Sequence, residues 1–517
     1  MRIRILLTLL ACGILWVVPA HSEEMVERPG LVGVYEVDGI KIERVDETIA
    51  FRWGLDRSDE RLPAGRFTVT WHGILFVPQA GKHRFRIEIQ GEARLRIDEK
   101  EILSTNSDSS GGVESADTDL SFGNHAIEIT YKRSESGGRL QLLWSGESFE
   151  WEPVPAARLN HLGPSDESVY RVEELLAASR CVACHALPTR RVASPSLKRL
   201  RGSIRPNELE EFLAKGHRPS HGLTSDEVRQ VAGYLLSASD EVKLPSNKQG
   251  DVAQGEERFE SLGCLACHRV DGVGSNRALA GGDLSRVGVK RPAGYIHAWL
   301  SNPASLQEEH RMPTMDLSPE EVDDLAAYLS SLGQTESEPA AVVTSAVDLQ
   351  AGRELVRSHR CAQCHAMKEI QPSERHAFGG STAGCLDEPD RQSARPGYRL
   401  SASDQKRLLE YVQALRVDDQ PVSIDRRGEA VLSANNCRGC HARGGGTGLR
   451  EVLAELGTSD AREQAVRSAP TLDSVGDKLQ EDWLRRAIVG EAARLRPWLT
   501  PRMPRFRMSE EERADLA

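Results

Sequence analysis

Two hydrophobic periods divide the chain. Between residue 25 and about 160 apolar side chains recur at every second position. Phe85, Ile87 and Ile89 alternate with Arg84, Arg86 and Glu88. Leu95 and Ile97 continue the pattern, followed by Ile127, Ile129 and Tyr131, then Leu140, Leu142 and Trp144. A period of two places one set of side chains on one face of a strand. Gly81, Gly91, Gly123 and Gly137-Gly138 fall between the runs, where turns are needed. Several short strands without a helical stretch predict an antiparallel sandwich or barrel over 25–160. From Ser168 onward the pattern becomes helical, and residues 168–238, 252–333, 348–416 and 427–517 read as four all-α units. Polar, proline-bearing linkers separate them at about 237–251, 334–347 and 417–426. The fold class is therefore multidomain, an all-β domain followed by four helical ones.

A length of 517 residues is too great for one core and fits about three to five domains. Met1-Arg2-Ile3-Arg4 is basic, Ile5 to Val18 is apolar, and Val18-Pro19-Ala20 offers small residues for cleavage. Residues 1–22 thus read as a secretory signal peptide, too short for a membrane span. Cys12 lies inside the apolar run rather than at its end, which makes a lipoprotein anchor the weaker reading. No later stretch reaches 18 apolar residues, so no transmembrane segment is expected. The net charge of -11 argues against a nucleic-acid partner, which needs a basic face.

The chemistry lies in one pattern that occurs four times. Cys181-Val182-Ala183-Cys184-His185, Cys264-Leu265-Ala266-Cys267-His268, Cys361-Ala362-Gln363-Cys364-His365 and Cys437-Arg438-Gly439-Cys440-His441 use eight of the 10 cysteines. Random placement would supply about 0.006 such pentapeptides. Two thiols three residues apart lie on one side of a helical turn, where they form thioethers to the two vinyl groups of a haem. The histidine then sits under the iron as its proximal ligand. Zinc ribbons set their Cys pairs roughly 15–20 residues apart, whereas these are separated by far more. Four covalent haem c groups are expected, and their attachment outside the cytoplasm agrees with the signal peptide.

Two resemblances extend this reading. Gly30-Leu31-Val32-Gly33-Val34-Tyr35, Val69-Thr70-Trp71-His72-Gly73-Ile74-Leu75, Pro78-Gln79-Ala80-Gly81-Lys82-His83-Arg84-Phe85 and Phe122-Gly123-Asn124-His125-Ala126-Ile127 follow one another as the landmarks of a PA14 domain do. The likeness closes at Leu143-Trp144 and Val154-Pro155. It implies carbohydrate binding or a docking role, although the paired aspartates of calcium-dependent PA14 adhesins do not occur between 25 and 160. The four later units resemble small class I cytochrome c domains, in which two helices cross over the haem. Each enters its motif from an amphipathic helix, such as Gly255-Glu256-Glu257-Arg258-Phe259-Glu260. The last helices start at Leu223-Thr224, Leu317-Ser318, Leu400-Ser401 and Met508-Ser509, where Ser or Thr is the N-cap and acidic residues follow. Compared with Glu321–Leu329, the segment Glu512–Ala517 reads as a helix cut short, so the fourth unit is expected to be C-terminally truncated.

The sixth iron position separates the units. Class I cytochromes place a methionine, usually in Met-Pro, just upstream of the last helix, and Met312-Pro313 and Met503-Pro504 each lie five residues before the helix-start residue. Met312 and Met503 are the expected ligands, Met315 being a rival to the former. Arg218-Pro219 and Arg395-Pro396 occupy the same place in the first and third units. Arginine, always protonated, is no ordinary ligand and instead suits a haem propionate. The order short-Arg, long-Met, short-Arg, long-Met suggests a duplicated two-haem unit. His217 or His221 is the candidate sixth ligand for the first iron, and His376 for the third, with His359 and Cys385 behind it. Without such a ligand those irons are five-coordinate.

The leading reading is a periplasmic or cell-surface electron carrier working between redox proteins, with the PA14-like segment tethering it to polysaccharide or to a partner. The alternative is a peroxidase-like haem enzyme using an open iron in the first or third unit.

Overall fold

The computed structural model describes residues 25–164, 171–187, 192, 194–217, 219–245, 249–333, 347–376, 385–386, 396–398, 400–416, 420–492 and 495–517. The leader read at 1–22, with Cys12, and the two arginines Arg218 and Arg395 lie outside the described residues.

The N-terminal domain contains β1 (Met25–Pro29), β2 (Leu31–Val37), β3 (Ile40–Asp46), β4 (Ala50–Arg52), β5 (Thr68–Val77), β6 (Gly81–Ile97), β7 (Lys100–Glu114), β8 (Thr118–Leu120), β9 (Gly123–Lys132), β10 (Arg139–Gly146), β11 (Phe149–Pro153) and β12 (Leu159–Pro164). Its main path runs β1-β12-β5-β9-β6-β10-β11. The long β6 pairs with β10 up to Gln90 and with β9 from Glu92. Gly91 lies at the change of partner with φ 137°, and a Cβ there would collide with the Lys132 carbonyl. The apolar set read from the alternation, from Phe85 through Leu95 and Ile129 to Trp144, is buried in one core with Trp53 and Trp71. The core also encloses a charge. Asp46 accepts from the Tyr35 hydroxyl at 2.6 Å, the Trp71 indole at 2.8 Å and Arg44 Nε at 2.8 Å, so a buried carboxylate keeps its hydrogen bonds.

Eight helices frame the four cysteine motifs. α1 (Val172–Ala178), α3 (Val252–Ser261), α5 (Leu349–Ser358) and α7 (Ile424–Ala434) lead into them. α2 (Ser225–Ser237), α4 (Pro319–Ser331), α6 (Ala402–Ala414) and α8 (Glu510–Leu516) follow them. Thr224, Ser318, Ser401 and Ser509 each accept a backbone N–H three residues on, so every following helix starts at its expected cap.

Helix pairing departs from chain order. α3 crosses α4, and α7 crosses α8, within their own stretches. α5, however, packs on α2 from the first stretch, and α1 packs on α6 from the third. Val356 shares a core with Val231, Tyr234 and Leu235, and Leu176 shares one with Leu408, Tyr411 and Val412. The stretches 168–238 and 348–416 are thus interleaved, and neither closes on its own two helices. Three crossings use a glycine nine residues before the first cysteine. A Cβ at Gly255 would strike the Asp324 carbonyl, at Gly352 the Gln230 carbonyl, and at Gly428 the Asp515 carbonyl. Val172 takes that place in α1 and packs sideways into its apolar cluster instead.

The β domain is docked on this helical body. Arg57 N donates to Pro421 O at 3.1 Å and Ser423 N to Arg57 O at 2.9 Å. Residues 420–426, read as linker from composition, therefore add a backbone bridge to the β domain. Arg426, its side chain 8% exposed, grips Glu60 of that domain at 2.7 Å and also reaches Glu173 of α1. Arg438 pairs with Glu47 at 2.9 Å and with Glu429 at 2.7 Å.

Candidate functional site

Each cysteine motif begins on a left-handed residue: Arg180 (φ 52°), Gly263 (φ 92°), Arg360 (φ 54°) and Asn436 (φ 52°). That conformation is uncommon outside glycine, and it ends the preceding helix before a tight turn. His185 N donates to Cys181 O at 2.9 Å, His365 N to Cys361 O at 3.0 Å and His441 N to Cys437 O at 2.9 Å. The turn presents two thiols and one imidazole together. Burial pushes the first thiol of each motif up to about 12, so each is a neutral thiol at pH 7. Among the described residues no group of three or more His, Cys, Asp or Glu is placed to hold a metal ion.

Three of the four motif imidazoles are held in one tautomer. His268 Nδ1–H donates to Gly282 O at 3.2 Å, His365 Nδ1–H to Pro195 O at 2.7 Å, and His441 Nδ1–H to Pro470 O at 2.6 Å. Each Nε2 is then the unprotonated nitrogen, the form that ligates iron. Burial lowers all three, His365 to about 4, which keeps the rings neutral at pH 7. These carbonyl acceptors were not anticipated from the sequence. Their signal is a shared spacing, Gly282-Asp283-Leu284, Pro195-Ser196-Leu197 and Pro470-Thr471-Leu472.

The leucines repeat the message. Leu284 N donates to Arg269 O at 2.8 Å, Leu472 N to Ala442 O at 2.8 Å, and Leu197 N to Ala366 O at 2.9 Å. In every case the acceptor follows the motif histidine. For the third motif, though, both the proline and the leucine come from the first stretch. The converse holds at the first motif, where His376 N donates to Cys184 O at 2.8 Å as Gly281 N does to Cys267 O at 2.6 Å. The backbone of His376 therefore belongs beside the first motif. Its ring is exposed and meets Arg360 at 3.3 Å. His217 and His221, considered for the first iron, lie instead at the third motif, His217 with its ring centroid 5.9 Å from that of His365.

The motifs also face one another in pairs. Gln363 Nε2 approaches Ala183 O at 3.5 Å, joining the third motif to the first. Asn436 Nδ2 donates to Ala266 O at 3.2 Å, joining the fourth to the second. Two residues past each expected ligand position the chains cross antiparallel: Ser220 with Gly397 at 3.0 and 2.8 Å, and Thr314 with Arg505 at 3.0 and 2.9 Å. Both pairs thus share a local two-fold arrangement, matching Arg-type stretch with Arg-type and Met-type with Met-type.

Of the two methionines, Met312 packs on the second motif's core and its sulfur accepts from Trp299 Nε1 at 2.9 Å. Met503 lies at the crossing just described and is 52% exposed.

Comparison with known proteins matches two stretches of the chain. Residues 27–153 match the PA14 domain model and residues 252–333 the cytochrome c model. Cytochrome c oxidase subunit 2 of Alkalihalophilus pseudofirmus is 31% identical, the match covering 22% of this chain and 36% of that one. A cbb3-type cytochrome c oxidase subunit CcoP of Helicobacter pylori is 35% identical over 16% of this chain and 27% of its own. The chain therefore spans well under half the length of these relatives. Among solved structures, a PA14 sugar-binding domain from an RTX adhesin aligns at 15% identity over 26% of this chain and 98% of that one, with a TM-score of 0.21. No helix among the described residues is long and apolar enough to cross a membrane. This chain carries a PA14 domain at its N-terminal end and, centred on Cys264, Cys267 and His268, a cytochrome c domain suited to covalent haem c and electron transfer.

Proposed function

We propose that the protein is a secreted electron carrier holding four covalent haem c groups in two facing pairs, the β domain serving to dock it on polysaccharide or on a redox partner. The observation that carries this reading is the repetition of one turn at all four motifs, each opened by a left-handed residue. Haem c, where bound, supplies reversible one-electron chemistry, and the protein sets its potential and access. The chain's own part is to present two thiols per group, fix the imidazole tautomer and press first against third and second against fourth. Protein matured in a secreting host should keep four haems per chain after extraction with acidified solvent, counted as pyridine haemochrome. A count below four would sink the proposal.

One observation favours a second reading for the first motif. Residues 385–400 contain no histidine, methionine or lysine; Cys385, close to Cys181 and Cys184, and Tyr398 are their side chains of known haem-ligating type, and an iron bound by neither keeps an open position. An iron at His185 would then accept a small exogenous ligand. Carbon monoxide added to the reduced protein should shift the spectrum of one haem, and peroxide should oxidise a donor. Four haems indifferent to both reagents would leave electron transfer alone.

A further inference from the structure

We propose that the iron attached at the third motif is held between His365 and His217, a bis-histidine site whose second ligand comes from the interleaved first stretch. The inference rests on the reading of a haem at Cys361 and Cys364.

Three features converge on His217. It follows the wide turn Phe212–Gly216, and its N–H closes that turn on Phe212 O at 2.7 Å, five residues back. Turns of this π type concentrate at functional sites. The Phe212 ring stands edge-on to the imidazole, centroids 5.7 Å apart at 79°. His217 Nδ1–H donates to Pro219 O at 2.8 Å, so this ring too is locked with Nε2 as the free acceptor. It mirrors His365, which is tied through Nδ1 to Pro195.

The spacing is right for a metal between them. Imidazole–metal bonds run about 2 Å, so two in line leave about 6 Å between ring centroids. The centroids of His217 and His365 are 5.9 Å apart, with planes at 48°. The His221 ring instead neighbours His217 at 5.3 Å and His359 at 5.6 Å. His376 is exposed at the first motif. The expected Met-Pro position of this stretch is Arg218-Pro219, so the ligand has moved one residue upstream of where a methionine would stand.

The test uses the full mature protein, with haem count and electron paramagnetic resonance as readouts. His217→Ala should convert one low-spin ferric haem to high spin and make one additional reduced haem bind carbon monoxide, the haem count being unchanged. His217→Met should add one far-red methionine–iron band and raise one midpoint potential. This variant also covers the event that the alanine protein fails to accumulate. His221→Ala should leave the number of low-spin haems as it was. Low-spin haems unchanged in His217→Ala, no new methionine–iron band in His217→Met, or the high-spin haem appearing in His221→Ala instead, overturns the assignment. The underlying cofactor reading fails separately: Cys361→Ala with Cys364→Ala would then leave the haem count where it started.

Discussion

Replacing Arg426 with alanine is expected to destabilise the protein by about 3–5 kcal/mol, the usual cost of removing one partner from a buried ion pair. The guanidinium joins Glu60 of the β domain to Glu173 of α1, and Tyr411 of α6 donates to the same Glu60. Removing it leaves the carboxylates of Glu60, 15% exposed, and Glu173, 29% exposed, without the cation they share. Denaturant unfolding measures the loss, and limited proteolysis between 153 and 172 reports whether the β domain has let go. A change under about 1 kcal/mol would mean the contact is merely superficial. The site also predicts an acid response. Burial by itself raises the Glu173 carboxyl, but Arg426 and then Arg171 outweigh it and bring it to about 2. An unfolded glutamate titrates near about 4.3. The folded state therefore binds fewer protons, and the stabilisation is complete above the unfolded value and lost as pH falls from there toward 2. In the Arg426→Ala protein this acid decline should flatten.

This interface was not legible in the sequence, and the reason is physical. Glu60, Glu173 and Arg426 are the residue types that usually stay in solvent, and only the tertiary fold brings them together. The strands were legible because period two admits one inward face, so Phe85, Ile87 and Ile89 could be read as core before any contact was known. The motif turns were legible from residue chemistry, and the helix starts from their Ser and Thr caps. The crosswise pairing was not. Each of α2, α4 and α6 offers the same kind of face, with Tyr234, Tyr328 and Tyr411 as its aromatic, so a leading helix finds an acceptable partner in any of them. Local pattern says that a helix must be covered and is silent on which copy covers it. His217 was picked out as a ligand candidate, but assigned by chain order to the first iron.

Gly352→Val should separate interleaved from independent units. Helix propensity alone favours the change, since glycine costs up to about 1 kcal/mol against a better helix former. Here the added side chain meets the Gln230 carbonyl and the Tyr234 Cβ of α2 well inside van der Waals contact. Backbone cannot yield as a flexible side chain does, so overpacking wins and the crossing should lose roughly 3 kcal/mol. Gly255→Val makes the same collision with Asp324 and Tyr328 inside one stretch and serves as the comparison. Because α5 and α2 together flank the third motif while α1 and α6 flank the first, the collision opens a crossing between the two stretches. Hydrogen exchange should show α2 losing protection in Gly352→Val while α6 keeps it, and α4 losing protection in Gly255→Val. Loss of protection in α6 rather than α2 would mean that 348–416 closes on itself in solution, against the crosswise arrangement of its helices.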